Sequence, residues 1–160
     1  MALAEYFWGN PRPMSCVRPI VYGFTEANSQ SFYAGQLVVF SSGVAAAASD
    51  TTTGLLGIAL KDATNVTSDN IEIPFYPIYS DDDWIIQTTT GGTAKASSDF
   101  TQGTKYALYV ASNVAYLDYA DTSNDSAVFI EPIYRASLTT GIYWAHVRFL
   151  AANCYLQVGT

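Results

Sequence analysis

The chain has 160 residues, which is enough for one domain with a substantial core. Charged side chains make up 13% of it, about half the ~25% usual in soluble domains, and the formal charge is −7. This negative charge argues against a nucleic-acid-binding surface, because phosphate contacts need clustered Lys and Arg. The shortage of charge also predicts an obligate assembly, since charged residues are depleted at the buried centre of interfaces.

No window of the sequence approaches the ~18 consecutive apolar residues of a membrane span. The start of the chain lacks the basic and apolar regions of a secretory signal, so we expect synthesis in a cytoplasm. Cys16 and Cys154 lie near opposite ends of the sequence and could form a disulfide only if the two ends meet. Two buried free thiols are the favoured interpretation.

Residues 1–31 predict an extended N-terminal arm, because they lack two-residue alternation and contain Pro11, Pro13 and Pro19. Proline removes a backbone donor and fixes φ, which favours polyproline or edge conformations. The arm also carries large apolar side chains, too many to leave in water: Tyr6, Phe7, Trp8, Ile20, Val21, Tyr22 and Phe24. The sequence leaves open whether the arm docks on its own domain or on a neighbouring subunit.

Residues 32–160 predict a single domain made of short strands. β-branched and aromatic runs alternate with turn clusters of Gly, Ser, Asp and Thr, as strands and hairpins require. The expected strands are Leu37–Phe40, Val44–Ala48, Gly54–Leu60, Ile71–Phe75, Trp84–Thr88, Tyr106–Val110, Ala115–Tyr119, Val128–Ile133 and Ile142–Leu150. This pattern predicts an all-β fold, a small β-barrel or β-sandwich of short antiparallel strands, with at most one short helix.

Two partial repeats recur along the sequence. The glycine-opened strand at Gly35 and the strand at Gly54–Leu60 are echoed at Gly103–Val110 and Ala127–Tyr134. Pro-Ile-Tyr also occurs twice, at 77–79 and 132–134. The spacing from Gly35 to Gly103 is longer than the spacing between the two Pro-Ile-Tyr motifs. A duplication therefore needs an insertion or deletion, and chance recurrence is the favoured interpretation.

The sequence predicts no catalytic residue. His146 lies in an alternating strand, on one face with Trp144 and Arg148, and no Gly-x-Ser-x-Gly motif marks a serine nucleophile. Asp81–Asp83 and Asp121–Asp125 could bind a cation, but the second lacks the glycine of a calcium loop. Solvated turn acids are the favoured interpretation of both, and no metal or cofactor is predicted. The aromatic residues could line a carbohydrate-binding face, but core and interface positions are favoured.

The order of several motifs resembles the small head-decoration, or cement, proteins of tailed bacteriophages. The motifs are Gly35-Gln-Leu-Val-Val, Leu55–Ala63, Asp83-Trp-Ile-Ile-Gln87, Gly103–Leu108, Tyr116-Leu-Asp118, Phe129-Ile-Glu-Pro132 and Trp144–Leu150. The resemblance covers roughly Tyr33 to Leu150 and leaves the arm unassigned. It implies a β-rich structural protein that binds the outside of an icosahedral capsid and clamps adjacent capsomers, with no active site.

The resemblance further implies the major capsid protein as partner, and a homo-oligomer, with a trimer favoured and a dimer possible. It places the protein on the capsid exterior of the virion, with no contact to nucleic acid or membrane. The arm is expected to supply the interface, through Tyr6, Phe7, Trp8, Pro11, Arg12, Pro13 and Arg18. The alternative is a receptor- or glycan-binding virion module, or a tail or fibre β-module.

Overall fold

The computed structural model describes residues 11–14, 19–50, 53–68, 70–112, 114–133 and 144–156. The strands in these ranges are β1 (Arg12–Pro13), β2 (Leu37–Ser41), β3 (Val44–Ala47), β4 (Leu55–Ala59), β5 (Phe75–Pro77), β6 (Trp84–Thr90), β7 (Thr93–Ala94), β8 (Lys105–Ala111), β9 (Val114–Asp118), β10 (Ala127–Ile133) and β11 (Trp144–Phe149). Helical structure in the described part is limited to two three-residue 3₁₀ turns, Ser97–Asp99 and Ala151–Asn153.

The chain folds as an all-β protein, which confirms the predicted fold class. Most strand predictions agree with the structure to within two residues. The expected strand Ile71–Phe75 is displaced, because the regular strand β5 begins only at Phe75 and Glu72 before it makes an isolated bridge. The expected strand Ile142–Leu150 is described from Trp144 onward.

The first sheet has the order β3-β2-β4-β5, and the segment 21–27 closes it. This segment pairs antiparallel with residues 71–75, at Val21 with Phe75 and at Thr25 with Glu72. Its other edge pairs in parallel with β3, at Glu26 with Ala45. The backbone pairing therefore runs in a closed circuit, called here the first barrel: segment 21–27, β2, β3, β4 and residues 71–77.

The second sheet also closes on itself. Its path β6-β11-β10-β8-β9 is antiparallel throughout, and β9 then returns to β6 through a parallel pairing, Gln87 with Tyr116 and Thr88 with Leu117. These five strands are called here the second barrel. The parallel contact departs from the expected antiparallel arrangement, because a circuit of five strands cannot alternate direction at every pair.

The two barrels share one topology. In each, the second strand forms a hairpin with the third and pairs with the fourth, the fourth pairs with the fifth, and the fifth pairs with the first. In each, the single parallel contact joins the first strand to the third. The segment 21–27 in the first barrel thus corresponds to β6 in the second.

Local contacts repeat as well. The Gly35 N–H donates to the Ala59 carbonyl (2.7 Å), and the Gly103 N–H donates to the Phe129 carbonyl (2.8 Å). Both glycines have positive φ, 95° and 78°, a conformation that glycine adopts without steric cost. The hairpin turns that follow place Ser42 and Ser112 at similar positive φ, 52° and 48°. The recurrence of the glycine-opened strand therefore coincides with equivalent positions of the fold.

A smaller apolar cluster fills the first barrel, with Phe32, Val38, Leu56, Ile73 and Phe75 among its members. A larger cluster fills the second barrel and continues onto the outer face of the first sheet, so β4 is buried on both faces. Tyr76 and Trp84 meet edge to face across this junction at 6.0 Å between ring centroids. The larger cluster, called here the shared core, therefore joins the two barrels, whereas the smaller cluster inside the first barrel is separate.

Candidate interaction surface

The sequence predicts an interface on the N-terminal arm, and three of the seven predicted interface residues lie in the described part. Pro11 is buried, and Arg12 and Pro13 are half-buried in β1, which pairs with β6 of the second barrel. Tyr6, Phe7, Trp8 and Arg18 lie outside the described residues. The interface role of all seven residues stays a prediction.

Specific contacts hold β1 on the second barrel. The Arg12 guanidinium carbon lies 4.7 Å from the ring centroid of Trp144, within the range of a cation–π interaction. The Met14 N–H donates to the Asp83 carbonyl at 2.8 Å. This part of the predicted arm therefore packs against its own chain, and Met14 itself remains 43% exposed.

Glu26 fixes the next part of the N-terminal region and is fully buried. Its carboxylate accepts hydrogen bonds from the Thr64 N–H (2.8 Å), the Thr64 hydroxyl and the Ile71 N–H (3.3 Å). These bonds tie the segment 21–27 to the loop that precedes β5. Sequence reasoning missed Glu26, because its partners lie 38 and 45 residues away and no local motif marks them.

Large apolar side chains are exposed along the same N-terminal region. Among the described residues between 11 and 33, those more than a third exposed are Met14, Ile20, Tyr22 and Tyr33. Tyr22 and Tyr33 expose 62% and 56% of their surface. We call these four residues the N-terminal apolar surface. Their backbone neighbours are anchored on both barrels, so their exposure is not that of a loose tail.

Two tryptophans that could have stacked on a sugar are buried. Trp84 lies in the shared core, and Trp144 is 5% exposed, with the Arg12 guanidinium over its ring. Tyr119 is 39% exposed, but the Lys95 ammonium lies 4.5 Å from its ring centroid. These three rings are therefore poor platforms for a carbohydrate.

His146 sits in a charged cluster on the outer face of the second barrel. Its Nδ1 lies 3.2 Å from Glu131 Oε1, and its Nε2 lies 3.0 Å from Asp83 Oδ1, a contact that has ion-pair distance but not hydrogen-bond alignment. Arg148 Nε donates to the same Asp83 oxygen at 2.6 Å. This hydrogen bond, followed by the contact with His146, lowers the pKa of Asp83. Both ring nitrogens of His146 thus face carboxylates.

The interpretation of Asp81–Asp83 as solvated turn acids is wrong for two of the three residues. Asp82 is 2% exposed, and Asp83 is paired with Arg148 and His146. The cause is non-local, because β11 brings two nitrogen-bearing side chains to the start of β6. The cluster therefore links the segment between β5 and β6, which connects the two barrels, to β11.

The Asp121 loop agrees with the interpretation as a turn. Asp121 Oδ1 accepts hydrogen bonds from the Ser123 hydroxyl (2.6 Å) and N–H (2.7 Å), and Oδ2 accepts from the Asn124 side-chain amide (3.0 Å). These hydrogen bonds lower the pKa of Asp121 to about 2, and the bond from the Ser123 hydroxyl has the largest effect. Within the described ranges, no group of three His, Cys, Asp or Glu side chains is placed to hold a metal ion.

Cys154 is a buried free thiol, and Cys16 lies outside the described residues. Burial raises the pKa of the Cys154 thiol to about 12, so it is protonated and unreactive near neutral pH. Its neighbour Tyr155 donates its backbone N–H to the Leu55 carbonyl at 2.9 Å. Residues 154 and 155 therefore lie against the first barrel, while β1 pairs with the second.

No helix in the described part of the chain is long and apolar enough to cross a membrane. A scan against protein-family models gave no match, and searches of curated proteins and of solved structures gave no significant match.

Proposed function

We propose that this protein is a non-enzymatic structural component of a phage virion, which binds the outside of an icosahedral capsid and clamps adjacent capsomers. The observation that carries the proposal is the N-terminal apolar surface. Four exposed large side chains lie on a region whose backbone is bonded to both barrels. An apolar, weakly charged region on an anchored backbone is suited to docking on another protein.

The clamping mechanism is a linkage effect. A protein that binds the assembled shell, and not its separated subunits, stabilises the shell by its binding free energy. Repetition over many equivalent sites multiplies a modest contact where the geometry permits simultaneous engagement. The partner would be the major capsid protein, and the bound form would be a homo-oligomer, with a trimer favoured. The formal charge of −7 is compatible with a site outside the shell, away from packaged nucleic acid.

Co-sedimentation with purified empty shells of the tailed phage that encodes the chain tests this proposal. We expect the protein to pellet with shells at about micromolar concentration, the affinity of a modest contact, and to stay in the supernatant without them. No binding at that concentration would contradict the proposal. A glycan-dependent change in tyrosine fluorescence without shell binding would instead favour a glycan-binding virion module.

A pair of variants locates the contact. Replacing Tyr22 and Tyr33 by Ala is expected to cost about 1–2 kcal/mol each, about 5- to 30-fold in affinity per site, if both rings become buried. Replacing both by Phe keeps the rings and should bind nearly as well as the original protein. Val66→Ala, at an exposed position on the loop before β5, is the location control. Equal binding by all of these variants would place the contact elsewhere.

A further inference from the structure

The shared topology of the two barrels allows residue-by-residue comparison of their outer faces. In the first barrel, Leu37 pairs with Ile58, which pairs with Tyr76. In the second barrel, the row at the same register is Lys105, Val128 and Arg148. The equivalence rests on the matched hydrogen bonds of the glycines that precede β2 and β8, which reach the residues directly after Ile58 and Val128.

These two rows have opposite environments. Leu37, Ile58 and Tyr76 are at most 3% exposed and belong to the core that the barrels share. Lys105 is exposed, Val128 is half-buried, and the Arg148 side chain is 52% exposed. The same face is therefore a contact between barrels on the first barrel and a solvent-facing surface on the second.

A contact that uses a face on one unit and leaves the same face free on the other is heterologous. Heterologous contacts between like units continue into rings or filaments unless the free face is blocked. If the row at positions 105, 128 and 148 were apolar, the second barrel of every chain would offer such a free face. Two cations flank the one apolar residue instead, and ammonium and guanidinium groups are costly to desolvate in an apolar contact.

We propose that the chain is a tandem of two copies of one barrel module, and that Lys105 and Arg148 prevent the second module from docking onto a barrel of a second copy of this chain. Asp83 holds Arg148 in place on this face through the 2.6 Å hydrogen bond to Nε. This proposal does not depend on the proposed capsid function, because it concerns only contacts between copies of this chain.

Substituting the residues of the first barrel into the second tests the proposal. The K105L/R148Y variant carries the row Leu, Val, Tyr and is expected to self-associate with increasing concentration, to a mass at least one chain above that of the original protein. Sedimentation velocity over a concentration series measures this. The K105Q/R148Q variant removes the same two charges and the same contact to Asp83 without adding apolar surface, and should keep the original mass.

The proposal is overturned if K105L/R148Y keeps the original mass at every concentration, or if the glutamine variant associates as strongly, since charge loss alone would then explain the effect. Lys105→Leu by itself changes an exposed side chain and serves as a second variant should Arg148→Tyr impair folding. It should show a weaker rise in mass with concentration, and an unchanged mass would count against the proposal. Circular dichroism of each variant confirms the fold.

Discussion

The close approach of β4 and β5 at Gly57 makes a strong prediction for the variant Gly57→Ala. A Cβ built on Gly57 would lie 2.0 Å from the Tyr76 carbonyl oxygen, whereas ordinary van der Waals contact begins at 3.4 Å. The position of this Cβ is fixed by the backbone of β4, and the oxygen belongs to the backbone of β5, so no side-chain rotation can make room. β5 would have to move away from β4 until that contact distance is restored.

That movement breaks interactions on both sides of Gly57. The Ile78 N–H donates to the Leu56 carbonyl at 3.0 Å, and the Leu60 N–H donates to the Pro74 carbonyl at 2.9 Å. The displacement of β5 that restores van der Waals contact would break both hydrogen bonds, at a net cost of about 1 kcal/mol per bond. Opening the buried faces of β4 adds about 1–3 kcal/mol, as overpacking does in well-packed cores. We expect Gly57→Ala to lower the free energy of unfolding by about 3–5 kcal/mol.

Urea denaturation followed by tryptophan fluorescence measures this loss, because Trp84 lies in the shared core near Tyr76. Gly43→Ala is the matched control: Gly43 also has positive φ, 90°, but its Cβ would meet nothing within 4 Å. The control should cost only the conformational strain, about 1–2 kcal/mol. A Gly57→Ala variant no less stable than Gly43→Ala would refute the reasoning from strand spacing.

Three further predictions concern buried and hydrogen-bonded groups. Glu26→Gln should destabilise the fold by about 1–3 kcal/mol, because the amide cannot accept all three hydrogen bonds and adds a buried donor; an unchanged urea midpoint would contradict the assigned role. The pKa of Asp121 is about 2 in the folded protein against 3.8 for the free side chain, so its contribution to stability is present above pH 4 and is lost as the pH falls toward 2. Asp121→Asn should therefore flatten part of the acid dependence of the urea midpoint, and an unaltered pH profile would argue against it. Cys154 should resist iodoacetamide at pH 8 in the folded protein and react after unfolding, as peptide mapping will show; rapid native labelling would contradict its burial.

Sequence patterns predicted the strands because their signals are local. A turn glycine followed by β-branched or aromatic residues marks β2 and β8, and the structure gives Gly35 and Gly103 the positive φ that such turns need. The alternation around His146 also placed it correctly on one face with Arg148, since both side chains contact Asp83. In each case, neighbouring residues alone determine the feature.

The features that sequence reasoning missed depend on residues far apart in the chain. Glu26 is satisfied by Thr64 and Ile71, and Asp83 is paired with Arg148 of β11, 65 residues later. The parallel closure between β6 and β9 likewise has no local signal, because it depends on the path of the strands that lie between them in the circuit. The predicted interface is a different case, since four of its seven residues lie outside the described part of the chain.

Unequal strand lengths hide the shared topology of the two barrels in the sequence. The second strand of the first barrel, β2, has 5 residues, whereas its counterpart β8 has 7 residues. Gly103 and the turn residue Ser112 are therefore further apart in sequence than Gly35 and Ser42, although each pair marks the same two positions of the fold.

The Pro-Ile-Tyr motif behaves differently from the glycine-opened strand. Its second copy begins at Pro132 in β10, the fourth strand of its barrel, whereas the first begins at Pro77 in β5, the fifth strand. The motif recurs at positions that are not equivalent, which fits chance recurrence. The glycine-opened strand recurs at equivalent positions, so the interpretation of chance does not extend to it.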